Sequence, residues 1–158
     1  VEPAEPEPRV AGPDDLERIV GLAATFRAWL ALPGPSDAQM RARLPQLLGD
    51  AANEILLADD ASGTSVAYLQ IRFRPSLWYG PDAEVEDLFV AESARAAGVG
   101  RRLFAFAIER ARARGCRHIG LNTNERNRAA VALYESFGLD ARRGRWAGGR
   151  QIWLDREL

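Results

Sequence analysis

The chain has 158 residues, 47% of them hydrophobic, and a formal net charge of −1. That length suits one domain with a real core, and the near-balanced charge removes any global pull toward nucleic acid or an anionic membrane. A single cysteine, Cys116, rules out an internal disulfide framework, and with a single histidine, His118, it argues against a structural metal site.

All 21 basic side chains are arginine, so the chain has no lysine of its own to acylate. The amino end, "VEPAEPEPR", lacks the basic and apolar blocks of a signal peptide. Its alternating Glu and Pro predict an extended leader over residues 1–8, with one domain from 9 to 158. No apolar run is long enough to span a bilayer. A cytoplasmic location is the expectation.

"RVAG" at 9–12 reads as a short strand. Asp14 or Asp15 then caps a helix in which Leu16, Ile19, Val20, Ala23, Phe26 and Leu30 recur at helical spacing. "PGPS" ends it. Ser36 or Asp37 caps a second helix closed by Gly49, with Pro45 expected to divide it. "NEILLADD", the turn "ASG" and the alternating "TSVAYLQIRFR" (64–74) predict an antiparallel strand pair. "PSLWYGPD" reads as a loop carrying Trp78 and Tyr79. "AEVEDLFV" (83–90) is a strand. A helix runs from about Gly98 to Arg114, a strand over 116–123, and a helix over 125–138. "LDARRGRW" and "RQIWLDREL" predict two closing strands. The order implies an α/β (α+β) fold: a mixed, mostly antiparallel sheet of about seven strands with helices on both faces.

The junction between "VEDLFV" and the arginine-rich helix holds the first chemical signal. A helix start presents unpaired N–H groups and the positive end of the dipole. Gly98 and Gly100 let an anion approach the backbone, and Arg95, Arg101 and Arg102 add charge. A P-loop is excluded because the chain has no lysine. In the dinucleotide pattern the third glycine would fall on Leu103, so that reading is poor.

"R95-A-A-G-V-G100" after a strand matches the Arg/Gln-x-x-Gly-x-Gly/Ala loop of the GNAT superfamily of N-acetyltransferases. "N127-R-A-A-V-A-L-Y134-E-S-F-G138-L" resembles that family's Asn-x-x-Ala-x-x-x-Tyr-x-x-x-Gly-Phe helix, with Leu139 in place of Phe. The resemblance implies acetyl-CoA as co-substrate and no metal. It places the acetyl and pantetheine contacts on Leu88, Phe89 and Val90. It places the pyrophosphate on backbone amides of Arg95, Ala96, Ala97, Gly98, Val99, Gly100 and Arg101, and Asn127 along the pantetheine arm.

Acyl transfer to an amine needs a neutral nucleophile, a stabilised oxyanion and a proton for the departing thiolate. Tyr134 is the expected acid, because a phenol of pKa ~10 can protonate a thiolate of pKa ~8.5. Glu86 is the expected base. In regular period-2 geometry it shares a face with Leu88 and Val90, while a bulge would bring Asp87 or Glu84 forward. Glu84, Asp87, Trp78 and Tyr79 are the expected acceptor contacts. The acids favour a small cationic acceptor. A protein Nα- or lysine acceptor is the alternative, and a non-catalytic acyl-CoA sensor is the rival of another class. Cys116 reads as a packed thiol rather than an acyl carrier. Nucleic-acid binding by the Arg-rich helix is disfavoured, since no aromatics interleave. Family members often dimerise through the closing strands, which leaves a homodimer open.

Overall fold

The computed structural model describes residues 7–141 and 154–157. The chain divides into two compact units, Val1–Asn122 and Thr123–Leu158. The first holds β1 (Arg9–Val10), α1 (Leu16–Trp29), α2 (Asp37–Gly49), β2 (Asn53–Asp59), β3 (Ser65–Ser76), β4 (Gly80–Val90), α3 (Val99–Ala113) and β5 (His118–Leu121). The second holds α4 (Arg128–Ser136). The two closing strands expected after 138 fall largely outside the described residues, and 154–157 carry no regular structure.

Among the described residues the sheet has five strands in the order β1-β2-β3-β4-β5. The first three pairings are antiparallel and β4–β5 is parallel, with α3 as the crossover. That is the mixed, mostly antiparallel sheet expected. On one face Ile55, Leu57, Tyr68 and Phe89 pack against Ile19, Val20 and Leu22 of α1 and Leu44 of α2. The opposite face carries Leu56 and Leu69, both fully buried, and Glu54. Glu54 accepts bidentate bonds from Arg110 of α3 at 2.8 and 2.7 Å and further bonds from Arg114. Helices therefore cover both faces.

The helix ends follow local chemistry. Asp15 accepts from the Gly12 amide at 2.9 Å and from the two terminal nitrogens of Arg9, and the Arg9 bonds hold its carboxyl down at about 2. At α2 the Gln39 amide donates to Ser36 Oγ at 3.2 Å while the Ser36 amide donates to Gln39 Oε1 at 2.8 Å, a reciprocal cap. Ser36→Ala is expected to cost about 1 kcal/mol, read in a thermal melt as a drop of roughly 2–4 °C.

Two expectations are corrected. Pro45 does not divide α2, which runs unbroken from Asp37 to Gly49. The proline is on the exposed side, where water can bond the carbonyl left without an N–H. "PSLWYGPD" is not an open loop either. β3 continues to Ser76 and β4 starts at Gly80, so only a tight hairpin connection remains between them.

Candidate active site

The site grows from the carboxyl half of β4. Pairing with β5 runs only from Asp82↔His118 to Val85↔Leu121. Beyond it, among the described residues, no strand pairs with 86–90 on that edge, so backbone N–H and C=O groups there are left for another partner. On the other edge β4 pairs with β3, and the register jumps between Gln70 and Ile71: Gln70 opposes Asp87 while Ile71 opposes Val85. Glu86 is therefore the extra residue of a β-bulge.

The bulge corrects the expectation that Glu86 and Leu88 share a face. Residues directly opposite each other lie on the same side of a sheet. Asp87 opposes Gln70 and Phe89 opposes Tyr68, which puts both on the α1 face. Leu88 opposes Leu69 on the α3 face. Glu84 opposes Arg72, and Arg72 ion-pairs with both Glu84 and Glu86. The three acids thus gather on the α1 side.

They differ in surroundings. Glu84 is also held by Arg74 at 2.8 Å. Glu86 is exposed and its carboxylate is committed to Arg72. Asp87 is half-buried and has no ion pair among the described residues; the Tyr68 hydroxyl reaches its Oδ2 at 3.4 Å. Burial pushes the Asp87 carboxyl up, and the Tyr68 bond partly offsets it.

Past Val90 the chain enters the glycine loop. Ala96 has φ 65° and Gly98 has φ 76°. Left-handed residues of this kind turn successive N–H groups toward one side and build an anion concavity. Gly98 is the N-cap of α3 and adds no side chain of its own over the first-turn amides. Val99 is buried and anchors the helix start with Leu103 and Phe104. Arg102 Nη1 donates to the Ala97 carbonyl at 3.2 Å, bracing the loop. Arg95 Nε donates to the Val90 carbonyl at 3.1 Å, and its guanidinium lies 5.8 Å from the Trp29 ring centre. The Phe89 ring is buried, stacked 5.1 Å from Phe26, so only its backbone is available to a ligand.

Trp78 and Tyr79 lie at the other end of β4. Ten strand residues at ~3.3 Å each put the hairpin about 33 Å from Val90. Trp78 is exposed there, and Tyr79 stacks on His118 at 4.0 Å. His118 Nδ1 meets the buried Asp82 carboxylate at 2.6 Å. Cys116 is buried and its thiol is pushed up by that burial, the opposite of an activated nucleophile. A cavity of about 580 Å³ at that end is lined by Phe73, Pro81, Asp82 and Cys116; residues 86–90 are not part of its lining.

In the second unit Asn127 caps α4, its Oδ1 accepting from the Ala130 amide at 3.2 Å. Tyr134 is buried, and burial pushes its phenol up. The described residues contain no group of three or more His, Cys, Asp or Glu placed to hold a metal, and no helix long and apolar enough to cross a membrane.

The acetyltransferase (GNAT) family model matches residues 16–139 of this chain. The chain belongs to the GNAT family. It is an acyltransferase of the acetyl-CoA-dependent N-acetyltransferase class. An aminoglycoside N(6')-acetyltransferase type 1 of Serratia marcescens is 29% identical over 120 residues, covering 70% of this chain and 82% of the relative. A structure from Arthrobacter sp. FB24, assigned as an acetyltransferase, is 26% identical, covers 96% of this chain and 95% of that one, and has a TM-score of 0.82. The aminoglycoside N-acetyltransferase AAC(6')-Iy, solved in complex with CoA, shares the fold at 20% identity and a TM-score of 0.78, with 96% and 95% covered.

Sequence reasoning missed Tyr68, which reads as one more apolar-face residue of an alternating strand. Trp29 joins the site through Arg95, whose guanidinium lies beside its ring. Neither has a local signal; both emerge from the pairing register and from α1 packing.

Proposed function

We propose that this GNAT member transfers the acetyl group of acetyl-CoA to a primary amine of a small, cationic, amino-sugar-like acceptor. The carrying observation is the edge of β4 at 86–90, unpaired among the described residues, opened beside a bulge and running straight into the left-handed loop. These residues fit the coenzyme. Backbone groups of Leu88, Phe89 and Val90 would take its amides as an added strand, once Arg95 leaves the Val90 carbonyl. Amides from Arg95 to Arg101 would hold its pyrophosphate, and Asn127 the pantetheine arm. When bound, the co-substrate supplies an activated thioester.

The chain's own groups do the proton work. An ammonium acceptor of pKa ~10.4 must lose a proton before it attacks. Asp87 is the proposed base, in place of Glu86, because among the described residues no arginine pairs with it and its proton affinity is raised by burial. Glu86, exposed at the bulge, draws the cation in. Tyr134 is the proposed acid for the thiolate. The acid cluster and the aminoglycoside-acetylating relative support the cationic acceptor.

Thermal melting with acetyl-CoA, CoA and no ligand tests donor binding. A ligand at 100-fold over its Kd adds about 2.7 kcal/mol, a rise of several degrees. CoA release across aminoglycosides, polyamines and lysine peptides then tests the acceptor class. Turnover with the aminoglycosides or polyamines is expected; turnover with lysine peptides alone would replace the small-molecule reading by the protein one.

A further inference from the structure

The Asp87 carboxyl has one polar side-chain partner among the described residues, and the chemistry above has not used it. Tyr68 is on β3 and its hydroxyl reaches Asp87 Oδ2 at 3.4 Å. Tyr68 opposes Phe89 in the ladder, and Asp87 opposes Gln70, so the two are diagonal neighbours. A phenol is long enough to span that diagonal. The Tyr68 side chain is 4% exposed and is held edge-on by Phe26 at 6.4 Å and tilted against Phe89 at 6.3 Å. A phenylalanine would fill the same ring space. What the ring packing leaves unexplained is a buried hydroxyl aimed at a carboxylate, in a core where polar groups are rarely placed without a partner.

Among the described residues the surroundings leave the pair to itself. On β3 the next charged group is Arg72, engaged with Glu84 and Glu86 of β4. α1 and α2 cover this face with Ile19, Val20, Leu22, Phe26 and Leu44, all apolar. Arg95 is held over Trp29 at the end of α1.

We infer that Tyr68 is a positioning residue for the proposed base: its hydroxyl, donating to the Asp87 carboxylate, holds it ionised. The inference rests on the reading of Asp87 as the base. In the proton step one N–H bond of the acceptor ammonium breaks, one O–H bond forms on Asp87, and the nitrogen keeps the electron pair for attack. Tyr68 keeps its own proton throughout, because burial and the Asp87 charge push its phenol far above the ordinary value.

The test is the pH profile of kcat for Tyr68→Phe. Loss of a hydrogen bond to a charged group is expected to move the acid limb up by about one pH unit, a tenfold lower rate on that limb. The high-pH plateau and the KM for acetyl-CoA are expected to stay at parent values. A profile that superimposes on the parent, or a drop by the same factor at every pH, would overturn the inference. Should that variant fail to fold, 3-fluorotyrosine incorporated at 68 keeps the ring and strengthens the donor. It is expected to move the limb to lower pH, and an unmoved limb would equally overturn the inference. Asp87→Asn separates the two ideas. If it retains full activity, the base reading fails and Tyr68 with it. If it is inactive while the Tyr68 profiles do not move, Tyr68 alone is wrong.

Discussion

Asp87→Asn is expected to lower kcat by about 100- to 10,000-fold, the range for loss of a positioned general base, with acetyl-CoA binding unchanged. Asparagine is nearly isosteric and its carbonyl can still accept from Tyr68, so what disappears is the capacity to take a proton. The parent enzyme should lose activity as pH falls through the raised Asp87 value, because the base must be ionised to act. Stability moves the other way. A carboxyl whose folded-state pKa lies above its unfolded value binds more protons when folded, so stability falls as pH rises through that window. Once ionised, the half-buried Asp87 costs stability that asparagine does not. The variant's melting temperature should therefore match or exceed the parent's, while CoA release nearly stops. Glu86→Gln gives the contrast: it removes an exposed charge beside Arg72 and is expected to raise the KM of the cationic acceptor with little change in kcat. Parent-like kcat in Asp87→Asn together with collapse in Glu86→Gln would return the base role to Glu86.

Much of this site is legible in the sequence because its signals are local. The loop from Arg95 to Gly100 and the α4 helix from Asn127 through Tyr134 are contiguous motifs, and each strand shows its own period. What is not legible depends on a second strand. A bulge is an extra residue relative to a partner, so Glu86 looks like any alternating position until β3 is laid beside it. Period-2 reasoning then puts the acids on the wrong face. Tyr68 and Asp87 are 19 residues apart, and only the hairpin register makes them neighbours. The same hairpin explains Trp78 and Tyr79. They follow one another closely with the acids in sequence, yet an extended strand carries them to its far end. Pro45 shows the converse error, in which a strong local rule yields because the freed carbonyl faces water.

Tyr134→Phe carries the second large expectation: CoA release slowed by about 100- to 10,000-fold, with the acetyl-CoA melting shift retained. The ring is 9% exposed, and phenylalanine preserves its packing, so the protein should melt close to the parent. Burial keeps the phenol protonated well past its ordinary value, which suits an acid but makes it a weak one. Passing a proton from a phenol of pKa ~10 to a thiolate of pKa ~8.5 is uphill by about 2 kcal/mol. The phenol therefore helps first as a hydrogen-bond donor to the sulfur while it gathers charge, and the proton follows once the carbon–sulfur bond has broken. That yields a sharper outcome than a loss of rate. A leaving thiol more acidic than CoA needs the proton less, so an acetyl thioester of such a thiol should narrow the gap between variant and parent. A gap of the same size with both donors would mean that Tyr134 serves packing and leaves the thiolate to water.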